Sequence, residues 1–250
     1  MLLHFKQNFL SFFIAKIFFE SGQPKLTFGK QVLKRPDKVT SLSAQPSVTT
    51  SSRHSRIKIL ITDLEEECIV QFDQTGSLLS RFPSPVNNPT AVSATRDGNL
   101  VVSDWKTKTI HIVSDSGEHL HTFPTDMNWP VYLCACANGN IVVSDWKSHH
   151  VRIFDTFGTR IRDYNSVGSE PGQLHRPNGV ACDRNNFIYV TDMKNCRVHL
   201  LASDGAFVKF VATSEHGIRR PTGVTLGNKG ELLVADLKGT ISILAICGQD

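Results

Sequence analysis

One unit recurs five times along this chain, and it constrains the fold more than any other feature. A short apolar run ends in Asp at Asp63, Asp104, Asp145, Asp192 and Asp236, in ILITD, LVVSD, IVVSD, IYVTD and LLVAD. A Gly follows the first four at one fixed distance (Gly76, Gly117, Gly158, Gly205), and a Pro precedes the last four at another (Pro89, Pro130, Pro177, Pro221). The Asp residues stand about 41 to 47 positions apart, long enough for a four-stranded blade in a repeat array. Such a toroid is usually a docking surface and only sometimes an enzyme.

Within each unit the residues read as strands. Pro89–Val92 opens a strand, Asp97-Gly98-Asn99 turns the chain, and Leu100–Ser103 is a continuously apolar inner strand. Thr109–Val113 alternates, Asp115-Ser116-Gly117 is a second turn, and an outer strand runs through Phe123. Runs of β-branched residues separated by Asp, Asn and Gly are hairpin chemistry, so the chain is predicted to be all-β. Radial stacking of such sheets gives a β-propeller with short protected edges.

The last unit carries three strands, 221–226, 231–235 and 239–245. Its fourth is expected from Lys25–Gly29, clasping the ring. The propeller is therefore expected over 25–250, with 1–24 a leading segment outside it. The first blade has two possible starts: Pro36 lies too far from Asp63 for the common spacing, and Pro46 nearly fits. The Ser/Thr-rich stretch 41–55 reads as a loop either way.

The formal net charge of +4 is unevenly spread. Residues 1–56 hold nine Lys/Arg against two Asp/Glu, and residues 57–250 hold eighteen against twenty-one. The basic excess is thus no argument for nucleic-acid binding by the repeats. Lys6 and Lys16 break the Phe-rich leading segment into apolar runs too short to span a bilayer. It reads as a partner-bound helix or as a start outside the folded domain, and no membrane is expected. Six Cys are scattered without a Cys-x-x-Cys; Cys134 and Cys136 would share a strand face. Scattered Cys on strands read as reduced and structural, hence a cytoplasmic setting with no metal.

The units also match a known family. PNGVACDRNNFIYVTDMKNCRV at 177–198 resembles the NHL repeat, down to Asp-x-x-Asn-x-Arg-Val at 192–198, and SVGSEPGQLHRP at 166–177 resembles the linker of that repeat. The other units are degenerate, with LEEECI, WKTKTI, WKSHHVR and LKGTI after their Asp. NHL propellers usually have six blades; five are recognisable here. The manner of the repeats looks most like the region closing TRIM-NHL and related RING-type ubiquitin ligases. That resemblance implies a non-catalytic recognition module that docks a protein partner or ubiquitination substrate and needs no cofactor. The family's ligase activity lies in zinc-binding RING and B-box regions, and this chain has no paired Cys/His ligands.

One pattern suggests a binding rim. Four units read Asp-apolar-Lys: Trp105-Lys106, Trp146-Lys147, Met193-Lys194 and Leu237-Lys238, each after its Asp, with Lys108, Arg152 and Arg197 nearby. If the Asp ends the second strand, these residues share one loop position. Lys attracts phosphate and Trp stacks on bases, so the alternative partner is single-stranded RNA. The bland reading makes each Asp a turn residue accepting backbone N–H bonds, with packed Trp and solvated Lys.

A third reading is enzymatic, because some NHL-like propellers are metal-dependent lyases or lactonases. His149 and His150 are adjacent, His111, His119 and His121 cluster, and His175 and His216 lie in linkers. Adjacent His on a strand point opposite ways, and no His recurs at one unit position, so the chain is expected not to be an enzyme.

Overall fold

A computed structural model describes residues 2–8, 12–18, 24–28, 32–43, 57–83, 86–164, 166–227 and 230–245. The chain is all-β, five successive antiparallel blades of a β-propeller, and the described residues hold a single short 3-10 helix, Ser214–His216. Three leading strands, β1 (Leu2–Asn8), β2 (Phe12–Phe18) and β3 (Pro24–Phe28), form a sheet of their own. The first blade is β4 (Pro36–Ser43), β5 (Ile57–Asp63), β6 (Cys68–Asp73) and β7 (Leu78–Pro83). The second is β8 (Pro89–Ala94), β9 (Leu100–Asp104), β10 (Thr109–Val113) and β11 (His119–Pro124). The third is β12 (Pro130–Ala135), β13 (Ile141–Asp145), β14 (His150–Phe154) and β15 (Arg160–Tyr164). The fourth is β16 (Pro177–Cys182), β17 (Ile188–Asp192), β18 (Arg197–Leu201) and β19 (Phe207–Ala212). The last has three strands, β20 (Pro221–Leu226), β21 (Leu232–Asp236) and β22 (Ile241–Leu244).

The repeat fixes the register. The blade-opening Pro faces the repeated Asp in all five sheets: Pro36↔Asp63, Pro89↔Asp104, Pro130↔Asp145, Pro177↔Asp192 and Pro221↔Asp236. Pro lacks an N–H and tolerates this first position of a strand. The second strands β9, β13 and β17 are buried throughout, which explains their unbroken apolar runs. The outer strands β11 and β15 are mostly exposed and correspondingly polar. Gly98 and Gly139 turn the first hairpin of their blades at φ 87° and 91°, a conformation that penalises a Cβ.

Two compact units make up the chain, 1–104 with 110–121, and 105–109 with 122–250. In the first, Leu60, Ile69, Val86, Val92, Leu100, Val102 and Val113 form an apolar cluster from blades one and two. In the second, Val142, Val151, Ile153, Val180, Ile188 and Val190 join blades three and four, and Tyr189, Val198, Leu232 and Val234 join blades four and five. Gly179 lets β16 approach β20 closely: a Cβ there would lie 2.8 Å from the Gly223 backbone.

Three expectations are corrected. Among the described residues the clasp is not seen: β3, which contains Lys25–Phe28, pairs with β2 through Lys16↔Thr27 and Ile17↔Leu26, and the last sheet holds β20, β21 and β22. A five-residue strand pairs with whatever edge the chain brings nearest, and the β1–β2 hairpin brings one from a few residues away. The leading segment is accordingly stranded where a helix was one expectation. The first blade starts at Pro36 rather than Pro46. Residues 41–43 of the predicted loop complete β4, while 44–56 lie outside the described residues.

Candidate active site

Each repeated Asp acts as a polar anchor at the end of its second strand. The Asp63 carboxylate accepts the N–H of Lys34, Arg35, Glu65 and Glu66. Asp104 accepts the N–H of Asn88. Asp145 accepts the N–H of Asn128, Trp129, Lys147 and Ser148, and Asp236 those of Lys238 and Thr240. The carboxylate thus ties the turn after the second strand to itself and, in four blades, to the segment that enters the first strand. For Asp145, burial alone would raise the pKa; the N–H bonds from Ser148, Trp129 and Asn128 outweigh it and hold the group below the ordinary carboxylate value.

The residues expected on the rim divide by environment. Lys106, Lys108, Lys147, Lys194, Leu237 and Lys238 are exposed in the turns after their Asp. Met193 is buried. Trp105 stacks on Trp129, ring centroids 5.2 Å apart. Arg152 is held by the Asp163 carboxylate at 2.6 Å and donates to the carbonyls of Thr125 and Asp126. Arg197 is buried, bonded to Asp192 and to the carbonyls of Ser169, Glu170 and Gln173, with its guanidinium 4.2 Å from the Phe210 ring centre.

A tighter constellation lies where the turn after β13 meets the segment entering β16. His149 is the last residue of that turn at φ 63°, and Arg176, one residue before the blade-opening Pro, is at φ 59°. Both values are unusual for residues with side chains. The Arg176 N–H donates to His149 Nδ1 at 3.0 Å, and its guanidinium lies 4.4 Å from the Trp146 ring centre. His175, exposed, packs edge-on against His149 with centroids 5.1 Å apart, and its N–H donates to Asp192. Burial, the neighbouring His175 and the Arg176 charge push the His149 pKa down, so its imidazole is neutral near pH 7. With Nδ1 accepting a hydrogen bond, that neutral ring carries its proton on Nε2.

Beneath it, Asp192 is wholly buried and bonded to Asn195 Nδ2, Arg197 Nε and His199 Nε2. His199, also wholly buried, meets the Tyr164 hydroxyl at Nδ1. Burial keeps His199 neutral, while its hydrogen bond and those of Asn195 and His175 keep Asp192 ionised despite burial. The Asn and Arg of the Asp-x-x-Asn-x-Arg-Val motif are therefore partners of its Asp.

His149 and His150 do not share a strand as expected: β14 begins at His150, and His149 belongs to the turn. Position in the repeat marks the missed residues. His149, Lys108, Cys196 and Glu67 are each the fourth residue after the repeated Asp, and all have positive φ. Trp129, Arg176 and Arg220 each precede a blade-opening Pro. The cysteines also need correction, since Cys136 and Cys182 are joined as a disulfide. The cytoplasmic expectation rested on unpaired cysteines and loses that support. No helix among the described residues is long and apolar enough to cross a membrane.

Residues 127–154 match the NHL repeat family. No curated protein matches the chain. Among solved structures, virginiamycin B lyase from Staphylococcus aureus has a TM-score of 0.59 at 16% identity, covering 85% of this chain and 75% of that one. A catalytically inactive His-to-Ala variant of that lyase with quinupristin has a TM-score of 0.58 at 15% identity, covering 84% and 75%. A streptogramin B lyase structure has 0.59 at 18%, covering 86% and 74%. At these identities the likeness establishes the fold, an NHL-type propeller. It overturns the expectation of a non-catalytic recognition module and of a chain that is no enzyme, because the named neighbours are lyases and not ubiquitin ligases. The docking and RNA readings are withdrawn with it.

Proposed function

We propose that this chain is a propeller enzyme of the lyase type, with its site at His149, His175 and Arg176. The observation that carries the reading is the pairing of two imidazoles beside a guanidinium seated on Trp146. The fold shared with streptogramin B lyases supports it, as does the inactivity of a neighbour that lacks one His. Catalytic sites concentrate groups whose protonation is set by their surroundings, as it is at His149.

The division of labour follows from protonation. His149, neutral with its proton on Nε2, is a hydrogen-bond donor. His175, exposed and packed against His149, is placed to take a proton from carbon next to a carbonyl. The negative charge that develops on the carbonyl oxygen is met by the Arg176 guanidinium and the His149 N–H. The bond from the adjacent carbon to the leaving oxygen then breaks, and that oxygen takes back the proton from His175. The substrate class is a peptide-like ester with an acidic C–H adjacent to the carbonyl. A metal centre needs three or more converging donors. Among the described residues, the one group of three that meets that condition is Cys134, Cys136 and Cys182.

Quinupristin, present with one neighbour, is the first compound to test, by mass spectrometry of the incubated product. Elimination that opens a ring yields an isomer of unchanged mass, whereas hydrolysis adds a water. His175→Ala and Arg176→Ala are expected to lower kcat/KM by about a hundredfold or more. Absence of turnover across a panel of cyclic peptide esters, or turnover indifferent to both substitutions, would sink the reading.

A further inference from the structure

Three cysteines outside this site meet between the third and fourth blades. Cys134 and Cys136 are two residues apart along the chain, and Cys182 ends β16 of the next blade. Their sulfur atoms all lie within 4.8 Å of one another. Cys136 and Cys182 are joined, with Cα atoms 5.5 Å apart, and Cys134 Sγ lies 3.4 Å from Cys182 Sγ. A disulfide needs two sulfurs, so the bond leaves the third unexplained. The setting is apolar, among Val142, Val180, Ile188 and Val190.

We propose that Cys134, Cys136 and Cys182 form a three-thiolate site for one soft monovalent cation, copper(I), and that the disulfide is its oxidised, metal-free state. Thiolates select copper(I) and zinc over harder ions. Structural zinc takes four protein ligands, and the described residues place no fourth His, Cys, Asp or Glu donor in the cluster. Three sulfurs each about 2.3 Å from a central ion stand about 4 Å from one another; Cys134 Sγ and Cys182 Sγ are already 3.4 Å apart, and breaking the Cys136–Cys182 bond lets that pair separate toward the same spacing. Assembly begins when a dithiol or phosphine reductant delivers two electrons to the Cys136–Cys182 bond, and two protons complete the thiols. The ion then displaces three protons, one from each sulfur. Either state ties the end of β12 to β16, by a covalent bond from Cys136, the residue after β12, or through the ion.

The test uses the whole chain, reduced without oxygen, freed of reductant and titrated with copper(I) held by a chromogenic chelator. One ion per chain should leave the chelator, with an ultraviolet thiolate-to-copper band and a release of protons. Cys134→Ser should weaken binding at least tenfold while leaving the melting curve of the oxidised chain unchanged. The triple variant Cys68→Ser, Cys196→Ser, Cys247→Ser should bind as the parent does. No withdrawal of copper, binding of equal strength by the oxidised chain, or loss in the triple variant with retention in Cys134→Ser would each overturn the proposal.

Discussion

Blades three and four place the same carboxylate at the same register and satisfy it by opposite means. Asp145 faces His150 across the sheet, and Asp192 faces Arg197. Two residues further along, Arg152 stands where His199 stands, so the two blades carry the same pair of residue types in exchanged order. In blade four both side chains turn to Asp192 and form a buried ionic hub with Asn195. In blade three Arg152 turns away to Asp163 and two carbonyls, and Asp145 is held by four backbone N–H groups and the Ser148 side chain. The repeat position therefore dictates only that a buried carboxylate be satisfied. Order along the third strand decides whether it becomes a turn anchor or the centre of a charged network.

Removing the carboxylates is the hardest test of that difference. Asp192→Ala strands a buried guanidinium and imidazole, a loss of about 3–5 kcal/mol. Asp145→Ala leaves backbone N–H groups at the edge of a turn, where water can replace some of the bonds, and should cost about 1–3 kcal/mol. Urea unfolding of both variants measures the gap. Equal midpoints would mean that Asp192 is also no more than a turn anchor.

The periodicity made the blades legible, but not every pairing or site. Four of the five Pro–Asp registers follow from spacing, because each apolar run has one face-to-face partner that its hairpin turn permits; Pro36↔Asp63 does not, since its hairpin is longer than the others. The pairing of β3 with β2 was hidden, since a lone short strand carries no mark of its partner. Arg197 was expected beside a binding rim and is instead buried against Asp192, and His149 was obscured by one residue of strand boundary. Trp129, Arg176 and Arg220 share a position and not a residue type, so composition and motif reading pass over them. The disulfide left a trace: Cys136 and Cys182 are 46 residues apart, about one blade period.

Acid should separate the blades by a smaller amount. Burial sets the folded pKa of His199 below the ordinary 6.5, so the unfolded chain binds the extra proton first. Its contribution is then complete above about pH 6.5 and is lost as pH falls from there toward the folded value. His111, His149 and His150 shift the same way and add to this window. Asp192, held below 3.8, adds a second loss as pH falls through its folded value. His199→Gln should flatten part of the upper window and leave the lower one, as read from unfolding free energies across pH. An unchanged upper window would remove His199 from the account.

Exchanging the third-strand residues gives the smallest effect and the sharpest comparison. His150 lies 3.7 Å from Asp145, and its buried Nε2 has no hydrogen-bond partner. In His150→Arg the attraction of the new guanidinium to Asp145 is set against the desolvation of a buried charge, so stability should change by no more than about 1 kcal/mol. The carbonyls that could cradle a new guanidinium there, those of Thr125 and Asp126, already accept Arg152. The reverse change, Arg197→His, gives up bonds to Ser169, Glu170 and Gln173 that an imidazole cannot span. It should cost about 2 kcal/mol or more through carbonyls left unpaired. Matching costs for the two exchanges would show that the carbonyl cradle, present in blade four and already occupied in blade three, does not set the difference between them.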